Sequence, residues 1–277
     1  MYAWATQLEP GQWVLDVGSG PGSFPASTFH CFVVALDEDT DAFQTAASPA
    51  PAQLYRTFGR SDHMPFGSAS FDLVICHHSL EHIAEIDKTL SEIDRVLKPQ
   101  GRFYVAVPNG HGLCDAIYRF MFEGGGHVNR FRRSEVVSLI ESRVGIRLVR
   151  WRKLYSSFAY LWRLAELLEA PPPDLSKRLL ALRRFPRRTL RIFQRLLYTG
   201  TRLADRAFGT DLAVYGWALF FERSGEPVRE EPAHLNVCMS CGAGSEATSL
   251  EHTSRFTYRC GICNTINPYL TPFKNTI

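Results

Sequence analysis

Asp16-Val-Gly-Ser-Gly-Pro-Gly22 sets an acid and three alternating glycines directly behind a short apolar run. The run, Trp13–Val17 (WVLDV), reads as a buried parallel strand bounded by glycine. Without a Cβ, glycines let the backbone turn sharply and come into contact with a ligand. A helical pattern resumes after Ser23, which places the loop at a helix N-terminus. Free N–H groups there favour a carboxylate or a phosphate. A dinucleotide fingerprint would read G-x-G-x-x-G, but Ser23 stands where its third glycine belongs. An ordinary glycine-rich strand–helix turn would share part of this pattern, so the residues downstream decide.

Cys31–Leu36 (CFVVAL) is a second strand-like run, and it ends at Asp37-Glu38-Asp39. An acid about 20 residues past a glycine loop, at a strand tip, can accept two hydrogen bonds from a ribose diol. Asp37 is the first candidate and Glu38 the second. Alone, either would read as a solvated turn residue. Further segments follow in order: Ser61-Asp-His-Met-Pro-Phe66, Ser70-Phe-Asp-Leu-Val-Ile-Cys76, His77-His-Ser-Leu-Glu-His-Ile83, Glu92–Arg102 and Phe103–Pro108 (FYVAVP). Over residues 12–110 this collinear set resembles the class I S-adenosylmethionine-dependent methyltransferases, in the superfamily that includes ubiquinone-type and natural-product enzymes. The resemblance implies an α/β fold, a doubly wound Rossmann-like seven-stranded sheet with its last strand antiparallel. It implies that S-adenosylmethionine is held by Asp16, Gly18, Gly20, Gly22, Asp37, Asp62, His63 and His77. Asp62 would accept from the adenine amino group, and the backbone around His63 would bond the ring. His77 or His78 would border the methionine end and the acceptor. Members usually carry a longer helix ahead of the first strand, and Met1–Leu8 reads as the stub of one.

The elements that must position these residues are legible further on. Ser134–Arg143 reads as a helix with Ser134 as N-cap, broken by Gly145. Ile146–Lys153 reads as the sixth strand, and Ala213–Glu222 as the seventh, resembling the antiparallel last strand of this fold. Between them lies a helical insertion at about 155–210, opening with an apolar helix at Phe158–Leu168 that Pro171-Pro-Pro173 interrupts. We expect a methyltransferase domain over 1–225, a linker over 226–234 and a zinc ribbon over 235–277. With 277 residues, 45% of them hydrophobic, the chain is long enough for one full-sized domain and a small one. No run approaches the roughly 18 apolar residues of a membrane span, and no secretory leader is evident. A cytoplasmic location follows as the default, with the seven cysteines then reduced.

Cys238-x-x-Cys241 and Cys260-x-x-Cys263 are separated by eighteen residues, the spacing of a structural tetrahedral Zn²⁺ site. Gly242 and Asn264 follow the two pairs, and both residue types tolerate the positive φ of a tight metal-binding turn. Four free thiols is the bland alternative. Cys31 and Cys76 read as buried small hydrophobes.

Between Pro171 and Thr210 stand ten Lys/Arg against two acids, in a chain whose net charge is only +3. Pro186 suits the first turn of a helix. Beyond it, Arg188, Arg191, Arg195, Arg202 and Arg206 share one face, and Leu190, Phe193, Leu197, Ala204 and Phe208 another. The helix at 186–208 reads as a lid, as a surface for an anionic membrane, which would place the protein peripherally there, or as a contact for RNA. Two glycine-rich loops hold His111 and His127. His78 and His127 are candidate general bases near neutral pH, although a loop histidine is commonly just solvated.

The chemistry asks little of side chains. Methyl transfer from a sulfonium is an in-line displacement, accelerated by alignment in a water-poor pocket. The segment after the fourth strand, Cys76-His-His-Ser79, departs from the N/D-P-P-Y/F motif of adenine and glutamine N-methylation. No Pro-Cys pair and no C-x-x-x-C-x-x-C are present, which argues against cytosine-C5 and radical methylation. The reading is methyl transfer to an oxygen or nitrogen of a small-molecule, glycan or lipid-linked acceptor. An RNA methyltransferase using ribbon and basic helices, and a non-catalytic nucleic-acid- or protein-binding scaffold, are the alternatives.

Overall fold

The computed structural model describes residues 8–20, 31–41, 53–122, 127–158, 160–161, 179, 185–223, 229–230, 236–241, 243–245 and 247–269. Met1–Gln7, Gly22, most of the expected helix at Phe158–Leu168, and Pro171-Pro-Pro173 lie outside these residues.

The strands β1 (Trp13–Val17), β2 (Phe32–Asp37), β3 (Leu54–Phe58), β4 (Phe71–His77), β5 (Leu97–Pro108), β6 (Arg147–Tyr155), β7 (Val214–Glu222) and β8 (Arg229–Glu230) form one sheet. Its order is β3-β2-β1-β4-β5-β7-β6-β8. β1 pairs in parallel with both β2 and β4, and β4 with β5. The last strand, β7, runs antiparallel between β5 and β6. The fold is thus the expected Rossmann-like α/β sheet, extended at one edge by the two-residue β8, parallel to β6. β1, β2 and β4 are continuous apolar runs because both sheet faces are covered. Val14, Leu15, Leu73, Val74, Ile75, Phe103 and Val105 are fully buried.

The order matters for the site. The chain winds from β1 through β2 to β3, then returns to lay β4 on the other side of β1. The crevice beyond the carboxyl ends of the strands at such a reversal is where α/β sheets bind ligands.

Two helices buttress this part. α1 (Ile86–Val96) buries Thr89, Leu90, Ile93 and Val96. The helix that follows the loop at His127 spans Arg133–Val144 and buries Val136, Ile140 and Val144, one face at i, i+4, i+8. Its N-cap is Arg132 rather than the expected Ser134: the Glu135 carboxylate accepts the Arg132 N–H at 2.8 Å and pairs with the Arg132 guanidinium at 3.0 Å. Gly145 ends it at φ +64°.

Chain contacts divide the molecule into two units. One comprises 1–108, 126–152 and 217–231, and the other 109–125, 153–216 and 232–277. The cysteine-rich segment therefore shares a unit with the insertion. The helix at Arg133–Val144, in the first unit, is α3 in chain order; the second unit holds α2 (Leu113–Met121) and α4 (Arg187–Phe208). It also holds an antiparallel pair, β9 (Asn236–Val237) with β10 (Gly244–Ser245), and a three-stranded antiparallel sheet of β11 (Glu251–Ser254), β12 (Thr257–Arg259) and β13 (Ile266–Pro268). Its core brings Cys114, Phe158, Tyr198, Ala213 and Val237 together.

α4 starts after Pro186, at the place expected from the sequence, but buries a different face. Leu190, Gln194, Tyr198, Thr201, Arg202 and Asp205 are buried, while Ile192, Phe193, Leu196, Leu203 and Phe208 are exposed. Arg202 lies under cover with its guanidinium 3.5 Å from the centre of the Tyr155 ring. Gln194 donates to the Ser157 and Met239 carbonyls, and Tyr198 to the Val237 carbonyl at 2.7 Å. Asp205 accepts from Thr210, Leu212 and Ala213, which ties the end of α4 to the start of β7.

Candidate functional site

A cavity of about 360 Å³ opens at the carboxyl ends of β1 to β4. Its lining comes from the segments that follow four consecutive strands: Gly18 and Gly20 after β1, Asp37 at the tip of β2, Asp62 after β3, and His78 and His82 after β4. The volume falls within the range of small-ligand pockets.

The glycine turn is held from two sides. The Leu36 carbonyl accepts the Gly18 and Ser19 N–H groups at 2.9 and 3.2 Å. The Asp37 carboxylate accepts the Gly20 N–H at 2.7 Å through one oxygen and the Asp39 N–H at 2.9 Å through the other. Gly18 sits at φ +65°, and a Cβ there would stand 2.6 Å from the Ser79 Cβ. Gly20, at φ +54°, is different: a Cβ there would meet no protein atom within 4 Å, among the described residues. Among the described residues this leaves room on the lining for a bound ligand. Asp16 is buried in β1 and does not line the cavity.

Asp62 is held by a bidentate contact from Arg60, at 2.9 and 2.8 Å. The bonded Arg60 guanidinium keeps the Asp62 carboxyl below the usual carboxylate range. Each carboxylate oxygen keeps a second lone pair, so Asp37 and Asp62 remain acceptors after these contacts. The loop carrying Asp62 is pinned from α1. Glu92 accepts the Met64 N–H at 2.7 Å, and Arg95 donates to the Phe66 and Met64 carbonyls at 2.7 and 3.1 Å. Glu92 and Arg95 carry no local signal in the sequence, because their role is to orient a loop some 30 residues away.

The two neighbouring histidines part company. His77 closes β4 with its ring stacked 6.3 Å from Tyr104, away from the cavity lining. Burial holds its pKa down to about 3, so this imidazole is neutral. His78 lines the cavity in the left-handed region, φ +55°, an uncommon backbone state for a non-glycine residue. Its Nδ1 lies 3.3 Å from a Glu81 carboxylate oxygen. His63 is outside the lining, with its N–H bonded to the Arg60 carbonyl at 3.3 Å. His127 stands beside His82, ring centres 4.9 Å apart.

In the second unit the four cysteine sulfurs of 238, 241, 260 and 263 lie within 4.8 Å of one another. Cys238 and Cys263 are 3.5 Å apart, Cys241 and Cys260 3.7 Å. A tetrahedral Zn²⁺ with Zn–S bonds of about 2.3 Å sets sulfurs roughly 3.8 Å apart, so the set fits zinc. Ser240 and Ile262 direct backbone N–H groups at the Cys238 and Cys260 sulfurs, each at 3.4 Å. Asn264 turns at φ +59°. Cys31, Cys76 and Cys114 are buried and apart from these.

Residues 15–105 match the family described as methyltransferase domain. Over 103 residues the chain is 45% identical to an uncharacterized protein of Methanocaldococcus jannaschii, covering 36% of this chain and 42% of that one. Over 99 residues it is 36% identical to a demethylmenaquinone methyltransferase of Renibacterium salmoninarum, covering 35% and 41%. The chain spans 24–62% of the length of the first four curated relatives it matches. A solved phosphoethanolamine N-methyltransferase 2 of Haemonchus contortus shares the fold, with a TM-score of 0.52 at 19% identity, over 80% of this chain and 51% of that one. Over residues 15–105 the chain thus resembles a methyltransferase domain, and the likeness supports the class I S-adenosylmethionine-dependent kind.

Proposed function

We propose that the chain binds S-adenosylmethionine in the cavity beyond β1 to β4 and transfers its methyl group to an oxygen or nitrogen of a small-molecule, glycan or lipid-linked acceptor. One observation carries the reading: the glycine turn, Asp37, Asp62 and His78 converge from four separate strand ends on one cavity. Asp37 would accept from the ribose hydroxyls and Asp62 from the adenine amino group, each through lone pairs that their backbone and Arg60 contacts leave over. Gly20 would let the backbone approach the ligand. When bound, S-adenosylmethionine supplies a methyl carbon already activated by the sulfonium. The residues' task is then to orient donor and acceptor and to exclude water. His78 is the candidate base at the cavity wall where an acceptor must lose a proton. The zinc at Cys238, Cys241, Cys260 and Cys263 would be structural.

Calorimetric titration with S-adenosylmethionine and S-adenosylhomocysteine tests the first half. Saturable binding with one site per chain is expected, and absence of binding would leave the scaffold alternative. A mass-spectrometric screen of cell extract for products gaining a methyl group names the acceptor. RNA is the second reading, favoured by the exposed Arg187, Arg188, Arg191, Arg195 and Arg206 of α4. Co-purified RNA released by rising salt would move the assignment there.

A further inference from the structure

We infer that the first unit holds a divalent transition-metal site made by Glu81, His82 and His127, at the acceptor end of the cavity. A carboxylate oxygen of Glu81 and one ring nitrogen each of His82 and His127 lie within 4.8 Å of one another. Glu81 is 1% exposed. One of its oxygens meets His78 Nδ1, while the other, Oε2, is buried with no hydrogen-bond partner. A buried carboxylate oxygen left unpaired is costly, and a cation is what such an oxygen is built to meet. His82 is exposed and lines the cavity, so the cluster opens into the proposed substrate space.

The cluster is also constructed rather than accidental. Glu81 and His82 sit on the 3₁₀ turn Leu80–His82. The segment after His127 is bound to that turn by backbone and side chain. Val128 and Asn129 donate their N–H groups to the Glu81 carbonyl at 2.8 and 3.0 Å. The Asn129 side chain spans the Leu80 and Ile83 carbonyls at 3.1 and 2.6 Å. These four bonds hold a histidine 45 residues away against Glu81 and His82. Metal–ligand bonds of about 2.1 Å require donors roughly 3–3.5 Å apart. Binding a metal would require the exposed His82 and partly buried His127 side chains to rotate and close the difference.

Two imidazoles and one carboxylate suit Zn²⁺, Fe²⁺, Mn²⁺ or Co²⁺ better than Mg²⁺, which prefers oxygen ligands. Three protein ligands leave coordination positions for a substrate. The inference rests on the methyl-transfer reading for its consequence: the acceptor class is a hydroxyl, phenol or hydroxy acid. The hydroxyl gives its proton to the base, for which His78 is the candidate, its oxygen lone pair takes the methyl carbon, and the sulfonium departs as a neutral thioether.

The test uses the full-length protein with zinc already in its four-cysteine site, titrated with Mn²⁺ and followed by the paramagnetic resonance of free Mn²⁺. Thiolates discriminate against Mn²⁺, which separates the two sites. One Mn²⁺ per chain is expected. His127→Ala and His82→Ala should each weaken it at least tenfold, and His127→Asp, which restores a ligand, should recover most of the affinity. Absence of saturable Mn²⁺ binding, or the same affinity in both alanine variants, overturns the site. Calorimetry with S-adenosylhomocysteine on the same samples keeps the readings apart. Binding of the nucleoside without Mn²⁺ sinks the metal site alone, and Mn²⁺ without the nucleoside sinks the methyltransferase reading alone.

Discussion

Asp37 does two jobs with one carboxylate, and this fixes what its loss should do. It closes the glycine turn through Gly20 N–H at 2.7 Å, and it lines the cavity. Asp37→Ala removes a charged acceptor from the ligand and a brace from the loop. We expect S-adenosylmethionine affinity to fall by about 1–3 kcal/mol or more, read by calorimetry; a change below about twofold would remove Asp37 from the site. A second residue-scale consequence concerns His77. Its folded pKa, about 3, lies below the ordinary 6.5 because burial disfavours the imidazolium. Its stabilising effect is complete above pH 6.5 and is lost as pH falls from 6.5 toward 3, where the unfolded chain takes up a proton that the folded chain refuses. The slope cannot exceed about 1.4 kcal/mol per pH unit. Urea unfolding of wild type and His77→Gln between pH 7 and 5 should show the variant less acid-sensitive; parallel curves would refute the buried neutral imidazole. At this scale the sequence was most legible where chemistry needs a fixed local spacing. The glycine turn, the Asp37 tip, the paired C-x-x-C and the positive φ of Asn264 are all local. The Glu81–His82–His127 cluster was illegible because its third member arrives through hydrogen bonds from a distant loop.

At the scale of elements, apolar periodicity found β1, β2, β4 and β7, whose residues are buried on both faces. It missed β3, an edge strand with most of its residues open to solvent. α4 shows a different limit. Helical spacing put Arg202 with the other arginines, and Phe193 and Phe208 in the core. Partners remote in sequence reversed this: Tyr155 covers Arg202, and Ser157 and Met239 take up Gln194. What remains exposed mixes Ile192, Phe193, Leu196 and Leu203 with Arg188, Arg191 and Arg195. An apolar stripe flanked by arginines is suited to the surface of an anionic bilayer. Near such a surface each basic residue contributes about 1 kcal/mol. Changing Arg188, Arg191 and Arg195 to Glu should remove most sedimentation with anionic liposomes and leave S-adenosylmethionine affinity unchanged. Wild-type protein that neither binds liposomes nor RNA at physiological salt would make α4 a cover. No described helix is long and apolar enough to cross a membrane.

At the scale of the whole molecule, the sequence suggested a zinc ribbon hanging from the end of a finished domain. The contacts group the segment that carries the four cysteines with α4, α2 and the insertion in one unit. Val237 belongs to the core cluster of that unit, with Tyr198, Phe158 and Cys114. The carbonyls of Val237 and Met239, on either side of Cys238, take hydrogen bonds from Tyr198 and Gln194 of α4. Met239 N–H reaches the Asn267 side chain, which links the two halves of the ribbon across its sulfur cluster. Zinc binding in small ribbons is folding free energy, on the order of 10 kcal/mol. Its removal should therefore reach beyond the ribbon. Cys260→Ser should lose most of the roughly one zinc per chain expected for a single four-thiolate site. It should raise hydrogen exchange across 236–269, and across α4 from Leu190 to Asp205, whose buried polar groups lose their acceptors. The unit carrying the cavity has its own core in β1, β4 and β5, so S-adenosylhomocysteine should bind the variant within about threefold of wild type. Exchange confined to the ribbon would mean that α4 stands without it. Loss of nucleoside binding would mean that the metal stabilises the cavity as well, and the two units would then have to be treated as one cooperative body.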